Sequence, residues 1–197
     1  MGERKGAKMV ILIGAASNTG KTLMSQKLLE LYKMPYLSLD WLKMGLYRAN
    51  EKCGFTPEDG NEKIEQILWP IIKGIVMTNI ENKQNIIIEG YYIFPNRIKE
   101  FEHEYMEHII PVFIGFSKAY IENNFLSTII RHASAIEEKG NEERAMTHFI
   151  DEHSRFKRMC EESEINYFEI TKDYTAEIEN IYQWIDEEVS IKKLIFQ

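Results

Sequence analysis

Cysteine is almost missing: Cys53 and Cys160 are the two in 197 residues. They stand far apart and form no C-x-x-C, which excludes a disulfide framework and a thiolate metal site. Positive charge is also in deficit, with 24 Lys and Arg against 31 Asp and Glu, a formal net charge of −7. A surface of that balance has no general attraction for phosphodiester backbones, so nucleic acid is not an expected partner. No apolar run approaches the roughly 20 residues of a membrane-spanning helix, and the charged start lacks a signal-peptide layout. No membrane association is therefore expected. There is no Asn-Lys-x-Asp, so a guanine-specific GTPase is excluded. Repeats, linkers and low-complexity stretches are absent too. Together these absences predict one soluble, cytoplasmic globular domain of 1–197, and they leave its oligomeric state open.

Hydrophobic residues make up 44% of the chain, enough for a full core. Five short apolar segments read as buried strands: 9–13, 36–39, 85–88, 109–116 and 165–170. Helical patterns separate them. One follows the first strand over 22–31, and a short one covers 41–48. The clearest runs over 57–79, with Thr56 as cap, Pro57 in its first position and Pro70 as an expected kink. Two more span 118–139 and 142–161, punctuated by Gly140 and Asn141. The last carries Ile178, Ile181, Tyr182, Ile185 and Val189 on one face. Strands alternating with helices imply βα units: an α/β fold, three layers α/β/α, around a mostly parallel five-stranded sheet. Ligands on such sheets sit beyond the carboxyl ends of the strands.

Directly after the first strand stand Gly14 and then Ala15-Ala16-Ser17-Asn18-Thr19-Gly20-Lys21-Thr22. These last eight residues match the phosphate-binding P-loop, with Ala15 in the first glycine slot. Backbone N–H groups from Asn18 to Thr22 converge on phosphate oxygens, and Gly20 turns without a side chain in the way. The helix that follows points its positive end at the same anion. Lys21 adds a mobile charge for the β- and γ-phosphates, and the Thr22 hydroxyl suits Mg²⁺. The cofactors expected are ATP and Mg²⁺, with Ala15, Ser17, Asn18, Thr19, Gly20, Lys21 and Thr22 as nucleotide-binding residues.

With that loop, the chain resembles the P-loop small-molecule kinases, the superfamily that holds adenylate kinase and other nucleoside monophosphate kinases. The resemblance spans the whole length: P-loop, acidic residues after the second and third strands, an arginine-bearing segment, and a final strand and helix. It implies a P-loop NTPase fold with a small helical lid, here about 131–155. It also implies an enzyme that moves the γ-phosphate of Mg–ATP to a small-molecule acceptor. In such kinases an acidic residue in the position of Asp40 faces the acceptor and can serve as general base. Asp40 equally suits the cap of a helix over 41–48. Glu89 in Ile88-Glu89-Gly90 resembles the Glu-Gly of uridine-kinase-like enzymes more than the Asp-Gly-x-Pro-Arg of adenylate kinase. It implies a ligand for a Mg²⁺ water or a substrate hydroxyl.

The resemblance further assigns catalytic arginines to the lid, with Arg131, Arg144 and Arg155 as candidates. Each equally suits a solvated helix face paired with glutamate. Arg48 matches the place of an acceptor-binding arginine. The five histidines read as structural or surface residues, because His103/His108 and His148/His153 are five apart and point in different directions. Trp41, Tyr47, Phe55 and Trp69 surround the acceptor region and are expected mainly in the core. Two alternatives remain at the level of sequence: a nucleoside monophosphate kinase, and a non-catalytic ATP-binding regulator.

Overall fold

The computed structural model describes residues 8–50, 52–130 and 145–195. The chain order begins β1 (Val10–Ala15), α1 (Lys21–Tyr32), β2 (Tyr36–Ser38), α2 (Leu39–Ala49), α3 (Asn61–Glu81) and β3 (Ile86–Gly90). It continues with the short helices α4 (Pro95–Ile98) and α5 (His103–Met106), then β4 (Ile109–Phe116) and α6 (Lys118–Asn124). A π-helical turn, Phe125–Ile130, extends α6; then come α7 (Met146–Ser163), β5 (Tyr167–Ile170) and α8 (Tyr174–Ile195).

The five strands pair in the order β2-β3-β1-β4-β5, and every pairing is parallel. β1 is central and every one of its six residues is buried. Successive side chains of a strand point to opposite faces, and β1 obeys this rule. Ile11 and Ile13 pack in one apolar layer with Met24 and Leu28 of α1 and Ile181 and Ile185 of α8. Val10 and Leu12 pack in the other, with Leu68, Ile72 and Val76 of α3. A sheet covered on both faces is why the strand sequences read as continuous apolar runs.

All five expected strands form, with shifted ends. β1 runs two residues further, β2 stops at Ser38, and β5 begins at Tyr167. α3 starts at Asn61 rather than 57. The Thr56 N–H donates to Asp59 Oδ2 at 2.7 Å, which closes a separate turn, and Gly60 takes the cap position. Pro70 does not end α3, which continues to Glu81. The pattern read over 118–139 gives way to the π-helical turn after Asn124.

The register sets the site. Ile13 pairs with Glu89 and Gly14 with Gly90, so the start of the P-loop and the acidic end of β3 leave the sheet side by side. β2 joins β3 with Ser38 beside Glu89. The chain runs from β1 to the β2 side and later returns to β4 on the other side of β1, which opens a crevice at the strands' carboxyl ends.

Candidate active site

The P-loop begins inside the sheet. Ala15 is the last residue of β1, fully buried, and lacks a positive φ. Its slot therefore does not require glycine. Gly14 carries the steric constraint instead: a Cβ there would lie 2.4 Å from Phe113 Cε1 and 2.6 Å from the Ile93 carbonyl oxygen. Asn18 (φ 59°) and Gly20 (φ 87°) supply the two left-handed turns of the loop. Asparagine tolerates that region better than most side chains. Lys21 Nζ donates to the Ala16 carbonyl at 2.9 Å, and Thr19 Oγ1 donates to the same oxygen at 3.2 Å. Both bonds curl the loop around the amino end of α1, whose orphan N–H groups face an anion site.

Thr22, in the first turn of α1, donates its hydroxyl to Glu89 Oε1 at 3.0 Å. Glu89 is 2% exposed. Burial pushes its carboxyl above the ordinary glutamate value, while Lys21 and the Ser38 and Thr22 hydroxyls pull it down. Ser38 Oγ is itself buried without a hydrogen bond of ordinary geometry. A hydroxyl and a buried carboxylate side by side are hard oxygen donors of the kind Mg²⁺ takes, usually with several waters retained. The pair thus fits a magnesium site completed by phosphate oxygens and water.

Asp40 sits differently from the expectation. It is neither at the end of β2 nor at the cap of α2. Ser38 is the cap residue, and Asp40 lies in the first helical turn without a capping bond. Its side chain is about half exposed and meets Lys43 Nζ at 3.2 Å. Lys43 also donates to the Tyr92 hydroxyl at 3.2 Å. Burial pushes the Lys43 ammonium down, but Asp40 and Tyr92 outweigh it and leave the group above its usual value. Asp40 is close enough to Glu89 for its charge to act on it.

The remaining sequence candidates divide. Arg48 is exposed in the last turn of α2, roughly 12 Å along the helix axis from Asp40. Arg131 and Arg144 lie outside the described residues, as does the stretch 131–144 of the expected lid. The rest of that expected lid, from Met146, is the start of α7, anchored by buried Phe149 and His153. Arg155 of α7 pairs with Glu62 at the start of α3, and its guanidinium lies 5.4 Å from the centre of the Phe94 ring. Phe55 and Trp69 are core residues, whereas Trp41 is half exposed.

Several residues at the site escaped the sequence reading. Tyr91 and Tyr92, which follow Glu89-Gly90 directly, bring two mostly buried hydroxyls to the end of β3. The Tyr174 hydroxyl, at the start of α8, donates to the Thr19 carbonyl at 3.2 Å and covers Gly20. His153 is 1% exposed and stacks on Phe116, with ring centroids 5.1 Å apart. Its Nδ1 accepts the Phe116 N–H at 2.9 Å, so its proton belongs on Nε2, which is near the Ser17 carbonyl of the P-loop but has no hydrogen bond of ordinary geometry. Burial, with Lys21 adding to it, holds the imidazole down to about 3 against the pull of that carbonyl. The Lys43 position, three residues after Asp40, was the one local signal available. The others come together only through the tertiary fold.

A parallel sheet in the order 2-3-1-4-5, a P-loop after β1 and a buried acid at the end of β3 define a P-loop NTPase α/β/α fold. Solved structures agree at that level. The chain is similar to shikimate kinase from Bacteroides thetaiotaomicron, with 11% identity, TM-score 0.55, and 90% of this chain and 98% of that one covered. It is similar to a gluconokinase from Sinorhizobium meliloti 1021, with 10% identity, TM-score 0.53, and 96% and 93% covered. A putative kinase from Chloroflexus aurantiacus is 18% identical at TM-score 0.51, with 92% and 98% covered. No protein-family model matches the sequence, and no curated protein matches it. Among the described residues no helix is long and apolar enough to cross a membrane.

Proposed function

We propose that the protein is a phosphotransferase that moves the γ-phosphoryl group of Mg–ATP to a hydroxyl of a small-molecule acceptor. One observation carries this reading. The Thr22 hydroxyl and the buried Glu89 carboxyl are hydrogen-bonded at the mouth of the P-loop, with Asp40 close by on the adjoining helix. A regulator that only held nucleotide would have no use for a second carboxylate at that point.

The residues divide the work as follows. The backbone from Asn18 to Thr22 binds the phosphates. Lys21 leaves the Ala16 carbonyl to meet the β- and γ-phosphates, so no new charge has to be recruited. Thr22 and Glu89 would hold magnesium, which when bound neutralises phosphate charge and orients the oxygens for in-line transfer. Asp40 accepts the proton of the acceptor hydroxyl as its oxygen bonds to phosphorus. Its bond to Lys43 fixes the carboxylate's orientation. The Tyr174 hydroxyl and the buried His153 steady the far side of the loop.

Lys21→Ala tests the reading. Its ammonium serves the loop and not the core, so the variant should keep the wild-type circular dichroism spectrum. Phosphoryl transfer should fall by at least about 100-fold, a loss typical of a removed charge-stabilising group. Undiminished transfer in a folded variant would remove the P-loop from the chemistry.

A further inference from the structure

Beyond the P-loop, on the β2–β3 side, a second group of polar side chains shares the crevice. Asp40 and Lys43 face each other at 3.2 Å from α2, and Lys43 reaches Tyr92. The Tyr92 ring adjoins that of Tyr91, with centroids 5.8 Å apart. Tyr91 in turn feels the charges of Glu152 and Arg155 from α7 and of Glu62 from α3, and burial first, then Glu152, pushes its hydroxyl up to about 12. Glu152 is buried and meets His148 Nε2 at 3.3 Å. Lys43, Asp40 and Glu152 act by their charges on Tyr92, so ionisable groups from α2, α3 and α7 surround the Tyr91–Tyr92 pair.

The signs of those groups are informative. Among the described residues, Lys43 is engaged by Asp40 and Arg155 by Glu62, and Lys21 at the P-loop already acts on Glu89. The next arginine along, Arg97, is held by Glu65 in two bonds of 2.7 and 3.0 Å and by Glu100. Glu89 and Glu152 add further negative charge. A carboxylate or phosphate entering here would have to displace a resident carboxylate from its cation and then lie among the others. Like charges at such spacing repel strongly away from bulk water. Hydroxyl and amine groups meet the opposite situation: carboxylate oxygens accept from them, and the Tyr91 and Tyr92 hydroxyls complete the pairing.

We infer that the acceptor is a hydroxyl compound bearing neither carboxylate nor phosphate, neutral or amine-substituted, held between the Asp40–Lys43 and Glu62–Arg155 pairs. The inference rests on the phosphotransferase reading. In the transfer, the acceptor oxygen bonds to the γ-phosphorus while the bond from that phosphorus to the β,γ-bridging oxygen breaks. ADP leaves, and the hydroxyl proton passes to Asp40. A nucleoside monophosphate is excluded as acceptor, since its phosphate would lie among these acids.

The test separates acceptors by charge without naming them beforehand. A small-molecule extract of the source cells is passed over an anion exchanger at neutral pH. The unretained fraction holds neutral and cationic compounds, and the retained fraction holds acids and phosphates. Each is incubated with the full-length protein, Mg²⁺ and ATP labelled at the γ-phosphate, and label outside ATP and inorganic phosphate is counted. At least tenfold more label should enter the unretained fraction. Label predominantly from the retained fraction, or equal label from both, overturns the inference and leaves the phosphotransferase reading standing. Label from neither fraction overturns the phosphotransferase reading, and the inference with it.

Discussion

Glu89 is placed for chemistry at a cost to stability. Its folded pKa lies above the ordinary glutamate value, chiefly through burial. A raised carboxyl pKa means that the native state holds its proton more firmly than the unfolded chain. Glu89 therefore favours folding at acid pH, and that advantage disappears as pH rises through the folded pKa. Glu89→Gln keeps an oxygen to accept from Thr22 and removes the buried charge. At pH 7 it should raise the melting temperature, read by differential scanning calorimetry. Turnover should fall by about 100-fold, the upper range for losing a group that orients a metal site. A destabilised variant would show that the charged form is compensated by partners beyond Thr22, Ser38 and Lys21. Asp40→Asn should separate from it cleanly. Asp40 is half exposed and pairs with Lys43 of its own helix, so ATP affinity by titration should change less than twofold. The turnover rate should drop by about 10²- to 10⁴-fold, the range for a positioned general base. An unchanged rate would leave Asp40 as a partner for Lys43 and nothing more.

Elements were legible in the sequence wherever one local rule decided them. The continuous β-branched runs of β1, β3 and β4 could only be strands between two helical layers, although β1 runs on into the P-loop motif as far as Ala15. Boundaries set by a competing local bond were not legible. Asp59 uses its carboxylate on the Thr56 N–H and so delays α3 to Asn61. Asp40 likewise reads as a cap, yet Ser38 begins α2. Glycine had the most informative error. The motif's first slot holds Ala15, and the sequence alone makes Gly14 look displaced. Its real constraint is tertiary, the approach of the Phe113 ring and the Ile93 carbonyl from β4 and the chain after β3. Gly14→Ala should therefore be disruptive even though β1 is a regular strand. One of the two contacts is backbone, which cannot rotate away, so overpacking of about 1–3 kcal/mol is expected. Chemical denaturation measures it. Ala15→Gly, by contrast, should leave nucleotide affinity unchanged and lower stability by about 0.5–1 kcal/mol through backbone entropy. A well-tolerated Gly14→Ala would mean that β4 moves aside with ease.

On the scale of the whole molecule, His153 joins parts that the sequence keeps apart. It comes from α7, stacks on Phe116 at the end of β4, accepts that residue's N–H, and lies against Ser17 of the P-loop. Nothing in the spacing of the histidines announces this, because the contact spans 37 residues to Phe116 and far more to Ser17. The consequence is a pH dependence of known sign. The folded pKa is depressed to about 3 from the ordinary 6.5, mainly by burial. Between those two values the unfolded chain binds a proton that the folded protein refuses, so stability falls as pH drops through 6.5 and the loss is complete near 3. Below that the native imidazole itself becomes charged, and Phe116 N–H loses its acceptor. His153→Phe provides the control, since a phenyl ring can keep the stack on Phe116 without titrating. At pH 7.5 it should be less stable than wild type by about 1–3 kcal/mol, the cost of a buried N–H left without an acceptor. As pH is lowered from 7 to 4 the wild-type melting temperature should fall more steeply than that of the variant, so the gap between them narrows. The other titrating groups are common to both proteins, and their contribution cancels in the difference. Because the ring also backs the P-loop, Mg–ATP should bind the variant more weakly at pH 7.5, by roughly tenfold for about 1.4 kcal/mol of lost positioning. Parallel melting curves across that range would mean that His153 opens to solvent before it is protonated, and that its link between α7, β4 and the P-loop is looser than its burial implies.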